Sequence, residues 1–185
     1  MKYASFISHI AAAIIITAII LLVYASVQQA YRSSANDTQL QIARDVSNAL
    51  SKGKSINRLI IPDTIDIAQS LAVFTELFDK SGKPVQSTGF LNGRLPQPPQ
   101  GIFDFTNNNN EDVLTWQPQN GVRMAMVFEK ITGVNEGFVA AGRSLKETEV
   151  RESNLVKMVG ITWVACMAVL LIHFLLLFYF KRSAK

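Results

Sequence analysis

Between Gln28 and Lys157 this chain contains no histidine and no cysteine. That absence excludes Ser–His–Asp and Cys–His nucleophilic sites from the stretch, and with them the usual zinc sites. It also excludes disulfides there, so a fold in that stretch must be held by its own core even in an oxidising compartment. About 130 residues are enough for one. The two histidines, His9 and His173, and the one cysteine, Cys166, lie in two stretches that lack charge instead. Phe6–Val27 (FISHIAAAIIITAIILLVYASV) and Met158–Phe180 (MVGITWVACMAVLLIHFLLLFYF) contain no Lys, Arg, Asp or Glu. Each exceeds the ~20 apolar residues that cross a ~30 Å hydrocarbon core. Both are therefore expected to be transmembrane helices.

Charge of either sign is confined by this arrangement. All fourteen acidic residues fall between Asp37 and Glu152, and fourteen of the eighteen Lys and Arg, lying between the two apolar runs, balance them. The net charge of +4 thus sits on the short tails, residues 1–5 and 181–185. Short basic tails favour the cytoplasmic side, whereas a long loop translocates largely regardless of charge. The expected topology is a cell (inner) membrane protein with both termini cytoplasmic and residues 28–157 extracytoplasmic. The pI of about 9.3 then reports topology. No basic patch with interleaved aromatics points to nucleic acid. Val23-Tyr24-Ala25 offers a cleavage site for a signal peptide, but the apolar run is longer than the ~7–15 residues of a signal core. A retained anchor is the reading adopted.

The segment between the runs reads as α+β. Residues 28–51 lack Pro and Gly, and Leu40, Ala43, Val46 and Leu50 recur at helical spacing, with Gly53 as terminator. Ile61-Pro62-Asp63 breaks that helix, and Asp63 is placed to cap a short one over Thr64–Ser70. LAVFTELFD, the turn DKSGK and PVQST read as a hairpin. GRLPQPPQG is a connector in which neither helix nor sheet persists. GIFDFTNNNN follows as a short helix or irregular cover, with Ile102, Phe103 and Phe105 as packing candidates. DVLTWQP, VRMAMVFEKI and FVAAGRS complete five strands. In the middle one, Met124, Met126 and Phe128 share a face opposite Arg123, Ala125, Val127 and Glu129. That pattern predicts one buried face and one only partly covered. Ser144 and Glu147 form an S-x-x-E capping box for a last helix running into the second apolar run.

This order resembles the extracytoplasmic PAS-like (Cache-type) sensor domains of bacterial and archaeal histidine kinases and chemoreceptors. FDKSGKPV at 78–85, TWQPQNGVRMAMVF at 115–128 and FVAAGRSLKETEVRE at 138–152 carry the likeness. It implies a PAS-like antiparallel five-stranded sheet, flanked by long N- and C-terminal helices that continue into the two spans. It further implies ligand or partner sensing outside the membrane and a signal relayed along the last helix, in a homodimer or to a signalling partner. In that family a kinase or methyl-accepting domain follows the second span, whereas here only KRSAK does, so a separate partner is expected to supply the output.

Chemistry beyond binding has little to work with, and no enzyme activity or cofactor is expected. Arg123, Arg143 and Trp116 are the candidate ligand-binding residues, because two guanidinium groups and an indole suit a small carboxylate. The alternative is that the arginines pair with Glu129 or Glu136 and that Trp116 is core. NNNNED at 107–112, with Asp104 nearby, lacks the ligand spacing of a calcium loop and reads as a solvated turn. His9 and His173 are candidates for an intramembrane bis-histidine haem, although Ser5 and Ser8 offer His9 local hydrogen bonds. Cys166 reads as a small hydrophobe. Ala4, Ser8 and Ala12 form a small-residue stripe suited to close helix packing. Apart from a sensor, the composition fits a membrane-anchored assembly factor that docks another envelope protein.

Overall fold

In the computed structural model of the chain, the described residues are 2–56 and 65–183, with side chains from 6 to 56 and from 65 to 180. The elements are α1 (Lys2–Ser51), β1 (Ile65–Asp66), β2 (Phe74–Phe78), β3 (Pro84–Ser87), β4 (Gly89–Phe90), α2 (Gln100–Asn109), β5 (Glu111–Gln119), β6 (Val122–Ile131), β7 (Gly137–Ser144) and α3 (Lys146–Ser183). Two units emerge, one of Met1–Tyr31 with Val150–Lys185 and the other of Arg32–Glu149.

The first unit is made of α1 and α3 alone. Both helices are long and apolar enough to cross a membrane. Their large apolar side chains stay uncovered, Leu22 at 67% and Ile161 at 71% for example, as suits helices whose solvent is lipid. Two polar contacts join them. His9 hydrogen-bonds His173, and the Trp163 indole N–H donates to the Thr17 hydroxyl at 3.0 Å. Because the lower number on α1 meets the higher on α3, the pair runs antiparallel. Of the expected small-residue stripe, Ser8 is exposed and Ala12 half-buried, and His9, Ala13, Ile16 and Thr17 are half-buried beside it.

The second unit is built on a five-stranded antiparallel sheet in the order β3-β2-β7-β6-β5. Its central strands are dry on both sides. One face carries Phe74, Phe78, Met124, Met126, Phe128 and Phe138, and Phe103 of α2 seals it. The Phe103 ring sits 4.9 Å from Phe78, 5.8 Å from Phe128 and 5.4 Å from Phe138. Burying such a ring contributes about 1.5–3 kcal/mol.

The other face was expected to be only partly covered. Instead Val127 and Ala141 pack on Ala43 of α1, and Leu77, Val139 and Ile131 pack on Leu50. Gln39, Ala43, Ser47 and Leu50 are all buried, a stripe at helical spacing, so the helix supplies the missing cover. It ends in a Schellman motif, with Gly53 at φ +78, its N–H on the Leu50 carbonyl and the Lys54 N–H on that of Ala49.

Three further expectations change. No helix forms over the described part of Thr64–Ser70, because Ile65 and Asp66 pair in parallel with Gly89 and Phe90 as a small second sheet. Asp66 then turns the chain by accepting the Ala68 N–H on its own carboxylate. The break at Ile61-Pro62-Asp63 lies outside the described residues. Phe105 is 51% exposed, since only the Phe103 side of α2 meets the sheet. Ser144 ends β7 and its hydroxyl accepts the Lys146 N–H at 3.3 Å, so it still caps the start of α3, which begins at Lys146 and not at Leu145.

The DKSG turn fixes where α2 can lie. The Asp79 carboxylate accepts hydrogen bonds from Ser81 N, Ser81 Oγ and Lys83 N, and these hold its pKa below the usual carboxylate value. Gly82 has φ +78, and a Cβ there would lie 2.7 Å from the Phe103 ring. Gly82→Ala is therefore expected to destabilise the folded chain by about 2–3 kcal/mol, through left-handed strain plus overpacking. Chemical denaturation would show this as a lowered midpoint.

Candidate functional site

Trp116 pairs with Met124 across β5 and β6, which puts its indole on the α2 face, packed at the rim of the core. Beyond that rim it lines a cleft of about 400 Å³ with Leu91, Arg94, Pro96, Gln97 and Pro118. The opposite wall is shaped by a tight turn. Leu91 and Arg94 bridge each other around Asn92 and Gly93, at φ +52 and +72, the two positive values that a type I′ turn demands. The Asn92 side chain donates to the Gln119 amide oxygen at 2.9 Å and ties the turn to β5. Gln97 donates to the Gly82 carbonyl at 3.0 Å, and Pro96 and Pro98 are buried, so the connector is an ordered wall. Arg94 is exposed, and its guanidinium has no side-chain partner among the described residues.

The other two expected ligand-binding residues stand elsewhere. Arg143 pairs with Ala125, and Arg123 adjoins Met124, so both arginines project from the face opposite Trp116. Their partners are neither Glu129 nor Glu136. Arg123 Nη1 lies 2.6 Å from Glu149, and Arg143 reaches Glu147 at 3.4 Å and donates from Nε to the Leu71 carbonyl at 3.0 Å. Both glutamates belong to the first turns of α3, so the arginines anchor that helix to the sheet. Glu136 pairs with Lys80, which holds its pKa below the ordinary value.

One acidic group on the sheet was not singled out in the sequence. Glu76 is fully buried between Phe74 and Phe78 on the α2 face of β2, flanked by Ser87 and Ala140. Neither carboxyl oxygen has a hydrogen-bond partner among the described residues. Loss of hydration pushes its pKa up to about 9, so it stays protonated at neutral pH. Period-two alternation through FTELF would have put Glu76 on the phenylalanine face. What the sequence did not reveal is that this face is dry. Glu129, on the α1 face, adjoins Glu111, and Arg44 of α1 binds Glu111 at 2.8 Å.

In the other unit, His9 Nε2 and His173 Nδ1 are 3.1 Å apart, with the rings stacked at 5.2 Å and Phe174 edge-on to His9. A bis-histidine haem needs its two nitrogens on opposite sides of an iron and a porphyrin plane. Rings that hydrogen-bond directly leave no such gap. The Asn run caps α2, where Asn110 adopts φ +69 and the Asn107 carbonyl accepts from Lys130 Nζ. Among the described residues no group of three His, Cys, Asp or Glu is placed to hold a metal ion.

No family model and no curated protein matches this chain.

Glu76 gives a test of the dry face. Its pKa is higher folded than its ordinary value of 4.5, so the folded state holds the proton more tightly. The resulting stability is complete below that ordinary value and is lost as pH rises towards 9. Glu76→Met should stabilise the protein by about 1–3 kcal/mol at neutral pH, since it removes an unpaired polar group at similar volume. It should also flatten the alkaline limb of a plot of denaturation midpoint against pH.

Proposed function

We propose that the chain is a two-span membrane protein whose Arg32–Glu149 unit is an extracytoplasmic PAS-like sensor domain of the Cache type. It takes a small carboxylate-bearing ligand in the Arg94–Trp116 cleft and relays occupancy through α3 to a partner protein. The observation that carries this reading is the arrangement of the sheet. Two antiparallel strands, a covering helix and three more strands lead directly into a helix of membrane-crossing length. That is the element order on which the likeness to sensor domains rests. The cleft supplies what carboxylate recognition needs: a guanidinium with no ion-pair partner among the described residues and an indole in the same lining. The relay has a physical route as well. Strand β5 carries Trp116 and pairs with β6, and Arg123 and Arg143 on β6 and β7 bind the first turns of α3.

The full-length chain in detergent, heated against a panel of small carboxylates and amino acids, should show a saturable rise in melting temperature for at least one compound. Arg94→Ala and Trp116→Ala should each remove that rise, and Arg123→Ala should leave it in place. If no compound shifts the folded protein, the sensor reading fails, and docking of another envelope protein becomes the reading to pursue.

Topology is tested separately. Val134 is 78% exposed in the loop before β7. A cysteine introduced there should react with a membrane-impermeant maleimide in spheroplasts. Labelling only after permeabilisation would reverse the orientation.

A further inference from the structure

His9 of α1 and His173 of α3 are the chain's two histidines, and both fall in runs without Lys, Arg, Asp or Glu. The fold sets them against each other, with Nε2 of His9 3.1 Å from Nδ1 of His173. The ring planes differ by 26° and the ring centres stand 5.2 Å apart. Centres 2.1 Å farther apart than the nitrogens mean that the two nitrogens are the parts of the rings turned towards each other. A hydrogen bond between neutral imidazoles uses one N–H and one lone pair. With both protons on the far ring nitrogens, the same two atoms become a convergent pair of donors to a metal ion.

The separation is close to what one small ion needs. Metal–nitrogen bonds of about 2 Å place two nitrogens about 3.3 Å apart at a tetrahedral angle and about 4 Å apart in line. Side-chain rotation can supply so small a widening, whereas a haem would need the rings on opposite sides of a porphyrin.

The donor count selects the ion. Among the described residues no third His, Cys, Asp or Glu completes a metal-binding group with them. Cys166 comes seven residues before His173, about 10 Å along the helix, too far to share the ion. Phe174 stands edge-on to His9 at 5.3 Å, and Phe6 packs on Phe174 at 6.4 Å, so aromatic carbon walls the pair on that side. Magnesium and calcium call for six or more oxygens, and zinc for four ligands. Two imidazoles alone satisfy a monovalent d10 ion, Cu(I) or Ag(I), and imidazole is a copper ligand. Charge points the same way. The cost of desolvating an ion rises with the square of its charge, so a divalent ion costs about four times as much to place in an apolar run without carboxylates.

We propose that His9 and His173 form a two-coordinate site for Cu(I) that clasps α1 to α3. The inference goes beyond ligand sensing and does not depend on the cleft. On binding, the donating ring moves its proton to its other nitrogen. The N–H···N hydrogen bond is lost and two nitrogen–copper bonds form. Both rings stay neutral, the ion keeps its single charge, and no electron is transferred.

The test is competition for Cu(I) between the full-length chain in detergent, kept anaerobic and reduced, and a chromophoric Cu(I) chelator. Wild type and Cys166→Ala should each take one ion per chain. His9→Phe and His173→Phe should fail to take it. The indole of Trp163 on the Thr17 hydroxyl gives the helix pair a second contact that both variants keep. Should either fail to fold, His173→Gln retains a polar side chain and serves instead. X-ray absorption of the loaded Cys166→Ala chain should show two nitrogen neighbours at the copper. Ag(I), which has the same ligand preference and is not oxidised, should raise the melting temperature of Cys166→Ala saturably and leave that of a chain lacking His9 or His173 unchanged. Loss of the ion in Cys166→Ala overturns the proposal, because the thiol would then be the ligand. So does full retention in the histidine variants, or a wild-type chain that takes no copper from the chelator.

Discussion

The sheet has two dry faces, and every other feature of the Arg32–Glu149 unit follows from that. A strand such as β6, with Met124, Met126 and Phe128 on one side and Ala125 and Val127 on the other, needs cover twice over. Phe103 and the elements around it provide one lid. The other lid is α1, where small residues set the spacing: Ala43 meets Ala141, and the helix lies close enough for Ser47 to reach the Lys130 carbonyl. Helix and sheet are therefore not separable parts. Loss of α1 would expose Leu77, Val127 and Val139 together.

Charge is pushed to the rims by the same constraint, and there it does positional work. Arg44–Glu111, Arg123–Glu149 and Arg143–Glu147 each join the sheet to one of the long helices. Their side chains are about half exposed, so each pair contributes at most ~1 kcal/mol and weakens with salt. Attachments that weak set where a helix rests while leaving its position easy to shift. Any ligand or proton that acts through them moves the equilibrium only by its differential affinity for the two states.

Strong local signals made much of this fold legible. Alternation in VRMAMVFEKI, the DKSG and QNG turns and the Gly53 terminator placed strands, hairpins and the end of α1 within a residue or two, except that β2 starts at Phe74, three residues after Leu71. The two-residue strands β1 and β4 were hidden, because their pairing joins Ile65 to Gly89 and has no local periodicity. Arg94 was passed over because a proline-rich connector reads as featureless, whereas buried Pro96 and Pro98 make it a wall. Arg123 and Arg143 were correctly placed on the last two strands. Grouping them with Trp116 in one site did not hold, because they lie on the opposite face, and their partners were missed, since Glu147 and Glu149 come within reach only once α3 folds against β6 and β7. Glu76 shows the general limit: sequence indicates the direction of a side chain far better than the dielectric it meets.

The position of β7 also governs how the chain can be made. It lies between β2 and β6, and Phe74 pairs with Gly142 almost at the end of the sheet-forming segment. During synthesis the β2–β3 hairpin leaves the ribosome early, with one edge unsatisfied, and must wait for the last strand before the sheet can close. Gly142 is also where a side chain would strike the Phe74 ring at 2.5 Å, so that final pairing admits little error. The interval before β7 emerges is when a chaperone that shields strand edges would matter most to this protein.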